Sequence, residues 1–190
     1  CEKALHNLEK IKIQIVHPKS QINAEDLWNS WTTLRAKNNF DDLNEVNLQN
    51  PSELGFPITW EYQRGKEVNS NDIDLALSQR KECMHKVDEL FSNLDFLVMP
   101  SVQIFPFKKE LDYPKEICGN SLDTYHRWME VVILVSLLGL PSISVPVGFN
   151  KKGLPMGMQI IGKRGDDLKV VSFAKKYEEI FTFSKQGYKL

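Results

Sequence analysis

The stretch from Gly139 to Gly165 constrains the fold most, because it holds six of the ten glycines and three of the nine prolines. Glycine ends helices and proline cannot continue them, so no long helix is expected within this stretch. Its two apolar runs, Ser142–Val147 and Met156–Ile161, are predicted to be strands. A loop around residues 150–153, closed by Gly153, joins them as a predicted hairpin.

The glycines and prolines of this stretch have separate expected roles. Gly139 can end a helix in the left-handed conformation, and Pro141 keeps that helix from continuing. Pro146 inside a strand requires an edge position or a bulge. The other members of this expected structural motif support the chain reversal and the return strand, where Gly157 allows close backbone approach: Gly148, Gly153, Pro155, Gly157 and Gln159.

Apolar residues spaced three and four apart predict helices along much of the remaining chain. One helix is expected over residues 1–10, and another after the cap residue Asn23. A long helix is expected to begin at a cap, Ser70 or Asn71. Its apolar stripe includes one polar member, Arg80, which either lies along the core edge or anchors a neighbouring loop. Further helices are predicted over residues 121–138 and 166–181.

Two more strands are predicted upstream of the glycine-rich stretch. Isoleucines alternate with polar residues over Ile11–Val16, which is the period of a half-buried strand. The apolar run 95–100 ends at a proline and is expected to deliver a loop, residues 101–116, at a sheet edge. Residues 49–60 are predicted to be a loop. The expected fold class is therefore α/β, a mixed β-sheet flanked by helices, in a single domain over residues 1–190.

Charge and cysteine content narrow the possible functions. The 190 residues carry 24 Lys+Arg against 25 Asp+Glu, a formal net charge of 24 − 25 = −1. This near-neutral balance does not favour nucleic acid or an anionic membrane as a partner. The three cysteines, Cys1, Cys83 and Cys118, are too scattered for a disulfide framework, which favours a cytoplasmic location.

One segment has the length of a membrane span but not its continuity. Residues 131–150 carry no charge, yet Pro141 and Pro146 interrupt them, so a buried helix followed by a strand is expected. The chain does not begin with methionine, and its first residues already have helical character. This favours the interpretation that the chain is a fragment of a longer protein.

The residues alone supply no complete catalytic set. The chain contains neither a G-x-S-x-G elbow nor a glycine-rich phosphate loop. Its four histidines lack metal-ligand spacing, so no metal site is predicted. Cys83 and Cys118 have no neighbouring base in sequence, and a pairing of His126 with Ser101 has no local support.

Two glycine-rich segments carry a resemblance to a known family. Residues 139–148, GLPSISVPVG, and residues 153–162, GLPMGMQIIG, resemble the C-terminal region of amidase signature enzymes. The preceding segment 95–101, DFLVMPS, resembles the family's D-x-L-V-x-P-[ST] strand. The similarity is close over residues 70–181 and looser over residues 1–40.

The resemblance implies the C-terminal portion of the amidase signature fold and an amidohydrolase that acts on a small carboxamide. Family members use a Ser–cis-Ser–Lys triad through a serine acyl-enzyme, without metal or cofactor. The triad lies in the N-terminal half of family members, so no catalytic residue transfers to this sequence. The isolated chain is therefore expected to be inactive and to need the N-terminal half as its partner, with a second copy of the chain as another candidate partner.

The resemblance also implies that this region contributes to the substrate pocket. The candidates lie in the loop after Pro100 and in the following aromatic segment: Ser101, Ile104, Phe105, Tyr125 and Trp128. Residues 126–130, HRWME, resemble simple amidases more than the amidotransferase that acts on glutamyl-tRNA. Two alternatives stay open, namely a catalytically silent truncated protein and an amidotransferase subunit, whose partners would be a second subunit and charged tRNA.

Overall fold

The computed structural model describes residues 2–19, 21–45 and 54–183. The chain divides into two compact units, one formed by Cys1–Ser20 with Asp88–Leu190 and the other by Gln21–Val87. Among the described residues, no helix combines the length and apolar character needed to cross a bilayer. The helices are α1 (Glu2–Lys10), α2 (Ala24–Glu45), α3 (Phe56–Glu67), α4 (Ser70–Phe91), α5 (Ile133–Leu138) and α6 (Asp167–Phe181). The strands are β1 (Leu97–Pro100), β2 (Glu116–Ile117), β3 (Asn120–Ser121), β4 (Ser142–Phe149) and β5 (Pro155–Ile161).

Side-chain caps fix where α2 and α4 begin. The Asn23 side-chain oxygen accepts a hydrogen bond from the Glu25 amide at 3.0 Å, which confirms the predicted cap of α2. The cap of α4 is Asn69, whose side-chain oxygen accepts from the amides of Asn71 at 2.9 Å and Asp72 at 3.2 Å. The prediction of Ser70 or Asn71 was wrong by one or two positions, because both residues already have helical backbone.

Part of the predicted loop 49–60 is helical. Helix α3 begins at Phe56, directly after Gly55, with proline in its first turn. Proline is well tolerated there because that position has no intrahelical N–H bond to lose. Residues 49–53 lie outside the described residues. Helix α3 packs closely on α2, since a Cβ at Gly65 would clash with the carbonyl oxygen of Ala36.

The unit that contains residues 88–190 is built on a three-stranded sheet with the order β1-β5-β4. The predicted hairpin is confirmed, and β4 pairs with β5 through a loop in which the Asn150 side chain accepts from two backbone amides at 2.9 Å. Helices and sheet combine as the α/β prediction requires. Every strand pairing in the described part of the chain is antiparallel, so the parallel pairs that a mixed sheet requires are not seen among those residues.

Pro146 and Gly139 occupy the positions that their chemistry predicts. Among the described strands, β4 lies at an edge of the sheet, and its register with β5 shifts between Pro146 and Gly148. Pro146 therefore sits on an edge and beside an irregularity, where a missing N–H costs little. Gly139 follows α5 with φ 62° and ψ 44°, the left-handed conformation that ends a helix.

Two predicted elements were wrong. The described residues of Ile11–Val16 form no strand, and Ile13 and Ile15 instead pack as partly buried side chains against the core. Apolar residues at alternate positions predict that one face of an extended segment is buried. An extended segment can bury one face without hydrogen bonding to a neighbouring strand. The predicted helix 121–138 is a 3-10 helix over Arg127–Val132 followed by the short α5. Apolar spacing does not separate 3.0 from 3.6 residues per turn over so few residues.

One face of the sheet forms the core of this unit with α1 and α6. The cluster contains one aromatic side chain, Tyr177, among aliphatic, alanine and methionine side chains: Ala4, Leu8, Val145, Met158, Ile160 and Ala174. The predicted final helix is confirmed as α6, with Val170, Ala174 and Tyr177 buried. Because strand side chains alternate between faces, Ser144, Gly157 and Gln159 belong to the opposite face.

Candidate functional site

Two serines meet on the sheet face opposite the core. Ser101 follows directly after β1, and its backbone amide donates to the Gly157 carbonyl at 3.0 Å, which extends the β1–β5 pairing by one residue. Ser144 lies in β4, on the other side of β5. Their hydroxyl oxygens are 2.6 Å apart, a short hydrogen bond in which either oxygen can donate. Residues of the two outer strands are thus joined across the central strand.

Gly157 makes this contact possible. Outer strands of a three-stranded sheet are separated by about 10 Å, so two short side chains meet only if the central position leaves room. A Cβ at Gly157 would lie 2.8 Å from the Ser101 hydroxyl oxygen and 2.9 Å from that of Ser144. The close approach at Gly157 is therefore made by side chains, since the atoms nearest to a Cβ built there belong to the side chains of Ser101 and Ser144.

Gln159 connects this pair to the 3-10 helix. Its carboxamide nitrogen donates to the Pro100 carbonyl at 3.0 Å and to the Val131 carbonyl at 3.0 Å. Only 4% of Gln159 is exposed, so the donor side of both bonds is buried. Sequence reasoning placed Gln159 in a structural motif without a partner, because neither carbonyl is near it in sequence.

The aromatic segment before and within the 3-10 helix holds two of the predicted substrate residues. Trp128 meets Phe107 edge to face, with ring centroids 5.4 Å apart. Tyr125 stacks on His126 at 4.5 Å and contacts the edge of Tyr113 at 6.2 Å. These partners from the preceding loop, Phe107 and Tyr113, were absent from the predicted site, although their aromatic character was a signal available in the sequence.

The loop residues predicted to contact substrate differ in exposure. Ile104 is half-buried, whereas Phe105 is 41% exposed. The aromatic ring that Trp128 contacts is Phe107 and not Phe105. The structure thus brings Ser101 to Ser144 and links it through Gln159 to the Trp128 segment, while Phe105 faces solvent on the same loop.

His126 is engaged locally rather than with Ser101. The imidazole is buried, and its Nδ1 lies 2.7 Å from the Thr124 hydroxyl oxygen. The hydroxyl of Ser101 bonds Ser144 instead. A Ser101–His126 pair therefore does not form, which agrees with the lack of local support in the sequence.

The two cysteines considered as nucleophiles, Cys83 and Cys118, lie in different surroundings. Cys83 is buried, and that burial raises the pKa of its thiol, which disfavours the reactive thiolate. Cys118 is exposed at the β2–β3 turn with φ 51°. Within the described parts of the chain, no three His, Cys, Asp or Glu side chains are grouped to hold a metal ion.

A family model described as Amidase matches residues 1–171. The chain therefore belongs to the amidase family. This confirms the family resemblance, with the serine pair, Gly157 and Gln159 all lying inside the matched region.

The chain matches only part of the length of its named relatives. It is 36% identical over 114 residues to the A-type subunit of the glutamyl-tRNA(Gln) amidotransferase of Natranaerobius thermophilus, with 59% of the chain and 21% of that protein covered. It is 33% identical over 117 residues to a fatty acid amide hydrolase of Medicago truncatula, with 60% of the chain and 19% of that protein covered. The matched part thus spans about a fifth of these relatives.

Solved structures show the same fold. A bacterial aryl acylamidase of the amidase signature family superposes with a TM-score of 0.83 at 20% identity, covering 97% of this chain and 40% of that one. The A-type subunit of a glutamyl-tRNA(Gln) amidotransferase from Thermotoga maritima superposes with a TM-score of 0.64 at 25% identity, covering 94% and 37%. The α/β prediction and the amidase signature fold are confirmed together.

Proposed function

We propose that this chain is the C-terminal part of an amidohydrolase that converts a small carboxamide into a carboxylate and ammonia or an amine. In the complete protein, the chain supplies scaffold and one part of the substrate pocket. The observation that carries the proposal is the convergence of Ser101, Ser144 and the Trp128 segment through Gln159, inside the region matched by the family model.

The proposed reaction proceeds through a serine acyl-enzyme. A serine oxygen outside this chain attacks the amide carbonyl carbon, and the C–N bond breaks as the leaving nitrogen takes a proton. Water then attacks the ester, which releases the carboxylate and restores the serine. Backbone amides that stabilise the oxyanion contribute several kcal/mol to such a reaction.

The pocket role rests on the chemistry of the described residues. Trp128 forms an aromatic edge-to-face pair with Phe107, which lies on the same loop as the exposed Phe105. Apolar surfaces of this kind discriminate substrates by shape, whereas hydroxyls such as those of Ser101 and Ser144 can bond a polar group. The proposed substrate is therefore a carboxamide with an apolar acyl or amine portion.

The test is ammonia or amine release from a panel of carboxamides by the complete protein and, separately, by the 190-residue chain. The complete protein is expected to turn over at least one amide, to be blocked by serine-directed acylating reagents and to tolerate chelators. The isolated chain is expected to be inactive. Turnover by the isolated chain that survives Ser101→Ala, Cys83→Ala and Cys118→Ala would contradict the proposed division of roles.

A second candidate function is that of an amidotransferase subunit. The 36% identity to the Natranaerobius thermophilus protein favours it. In that case the complete protein would pass ammonia from an amide donor to an aminoacyl-tRNA with a second subunit. Co-purification of a partner subunit and tRNA-dependent consumption of glutamine would select this candidate over the hydrolase.

The alternative to both functions is that the complete protein is catalytically silent. In that case we expect no amide turnover, no acylation by serine-directed reagents and no transamidation by the complete protein. Acylation of the complete protein, located by peptide mass spectrometry outside residues 1–190, would exclude it.

A further inference from the structure

The two carbonyl groups that converge on Gln159 belong to the two segments carrying the proposed pocket residues. Pro100 is the last residue of β1 and directly precedes Ser101. Val131 lies in the 3-10 helix, three residues after Trp128. The same side-chain nitrogen bonds both carbonyls at 3.0 Å.

The chemistry of this contact requires a primary amide. A backbone carbonyl is only an acceptor, so two of them on one atom demand two N–H groups from that atom. Glutamine supplies both without a charge, whereas a glutamate carboxylate supplies none. Because Gln159 is 4% exposed, water does not readily replace the lost bonds.

The backbone of Gln159 is itself fixed on both sides. It pairs with Met99 in β1 and with Ser144 in β4, at the centre of the sheet. A side chain rooted at the centre of a sheet is a rigid reference point for the segments it bonds. The 3-10 helix lacks a side-chain cap at its start. The hydrogen bond from Gln159 to the Val131 carbonyl is therefore a tertiary restraint on the position of this helix.

We propose that Gln159 is a positioning residue that holds the Trp128-bearing 3-10 helix at a fixed distance from the Ser101 turn and so sets the width of the pocket. The pocket part of this inference rests on the proposed amidase function. Gln159 acts through these two segments and does not itself need to touch substrate.

The first test measures hydrogen exchange in the complete protein with Gln159→Glu and Gln159→Met. The reporters are two backbone amides: that of Met129, which donates to the His126 carbonyl at the start of the 3-10 helix, and that of Ile133, which donates to the Glu130 carbonyl at its end. Both variants are expected to speed their exchange at least tenfold, while amides of α6 change less than twofold. Gln63→Glu, at an exposed glutamine of α3, is the matched control and is expected to change neither.

Either of two exchange results would overturn the positioning role. Unchanged exchange at Met129 and Ile133 would show that the restraint is dispensable. An equal increase in the 3-10 helix and α6 would show that Gln159 contributes only to global stability. Neither readout depends on enzymatic activity.

The second test compares kcat and KM for amides of increasing acyl size in the same complete protein. Gln159→Glu is expected to raise KM at least fivefold more for the largest amide than for the smallest, with kcat changed less than twofold. In the Trp128→Phe background this selectivity change is expected to shrink by half or more. A uniform loss for all amides would contradict the pocket-width role.

The two tests keep the inference separate from the proposed function. A wild-type protein without amide turnover, but with the localised exchange change in Gln159 variants, would remove the amidase proposal and support the positioning role. If the wild type is active but its Gln159 variants behave like Gln63→Glu, the positioning role is removed and the amidase proposal is supported.

Discussion

The hydroxyl oxygens of Ser101 and Ser144 lie 2.6 Å apart, although the two serines are 43 positions apart in sequence. The bond joins the end of β1 to β4 across the intervening strand β5. A hydrogen bond of this kind contributes about 0.5–1.5 kcal/mol to stability. It gives the face opposite the core a defined polar pair rather than two separate surface serines.

Removing either hydroxyl is expected to remove the whole interaction. Ser101→Ala and Ser144→Ala should each lower the free energy of unfolding by about 0.5–1 kcal/mol, and the double variant should cost no more than the larger single effect. Urea unfolding of the four proteins in this double-mutant cycle measures the coupling. Ser172→Ala, at an exposed position of α6, is the control, and strictly additive losses would argue against the bond.

Gly157→Ala is expected to disturb the same pair by sterics. The added Cβ would lie within 3 Å of both hydroxyl oxygens, so the serines must separate or β5 must shift. Overpacking of this kind costs about 1–3 kcal/mol. Gly55→Ala is the matched control, because its nearest neighbour would be 4.0 Å away. Equal thermal stability of the two variants would contradict the tight packing.

Substitutions at Gly162 and at Val170 of α6 are expected to have coupled effects on stability. A Cβ at Gly162 would clash with a methyl group of Val170, which fixes how closely α6 approaches the end of β5. Gly162→Ala should therefore destabilise by about 1–3 kcal/mol. The Val170→Ala change removes that methyl group, so the double variant should be more stable than the sum of the single effects. Additive effects in denaturant unfolding would contradict the direct contact.

The raised pKa of Tyr177 predicts that the folded protein loses stability at alkaline pH. Burial, with a smaller contribution from Glu178, raises the pKa of its phenol to about 12, above the ordinary value of 10.0. The folded state binds the phenol proton more tightly than the unfolded state does. The contribution of Tyr177 to the free energy of unfolding is therefore complete below pH 10. This contribution falls as the pH rises through 12, by roughly 2 kcal/mol at pH 12.

The Tyr177→Phe variant isolates this contribution from other groups that titrate in the same range. Among the described residues, the Tyr177 hydroxyl oxygen is buried without a hydrogen-bond partner. Its removal should leave stability at pH 7 unchanged or raise it by up to about 1 kcal/mol. Urea unfolding between pH 8 and 12 should show a shallower decline for the variant, and parallel curves would refute the assignment.

Phe105 and Trp128 are expected to tune substrate preference in different ways. Phe105 is exposed, so Phe105→Ala should alter relative kcat/KM among amides of different bulk with little loss of stability. Trp128 packs on Phe107, so Trp128→Ala should alter preference and lower the melting temperature as well. Pocket contacts of this size change discrimination by about 1–3 kcal/mol. Losses that are uniform across substrates and track with unfolding would assign both residues to packing alone.

Local chemistry was sufficient for several elements of the fold. The Asn23 cap, the left-handed Gly139 and the hairpin around Asn150 were predictable because each depends on residues within four positions in sequence. Pro146 was predictable for the same reason, since a missing N–H restricts it to an edge or an irregular position. The glycine-proline pattern also carried the family resemblance that the match over residues 1–171 confirmed.

Only the tertiary structure decided how the candidate site is assembled. Sequence reasoning named Ser101 and Trp128 from the resemblance, but it did not find Ser144, Phe107 or the bridging role of Gln159. It also assigned helix to residues 121–138, where the 3-10 segment presents the Val131 carbonyl to Gln159. The physical reason is sequence separation: a cap or turn is specified by neighbouring residues, whereas the contact between Ser101 and Ser144 depends on β1 and β4 both pairing with β5, and residues close in sequence do not specify that strand order.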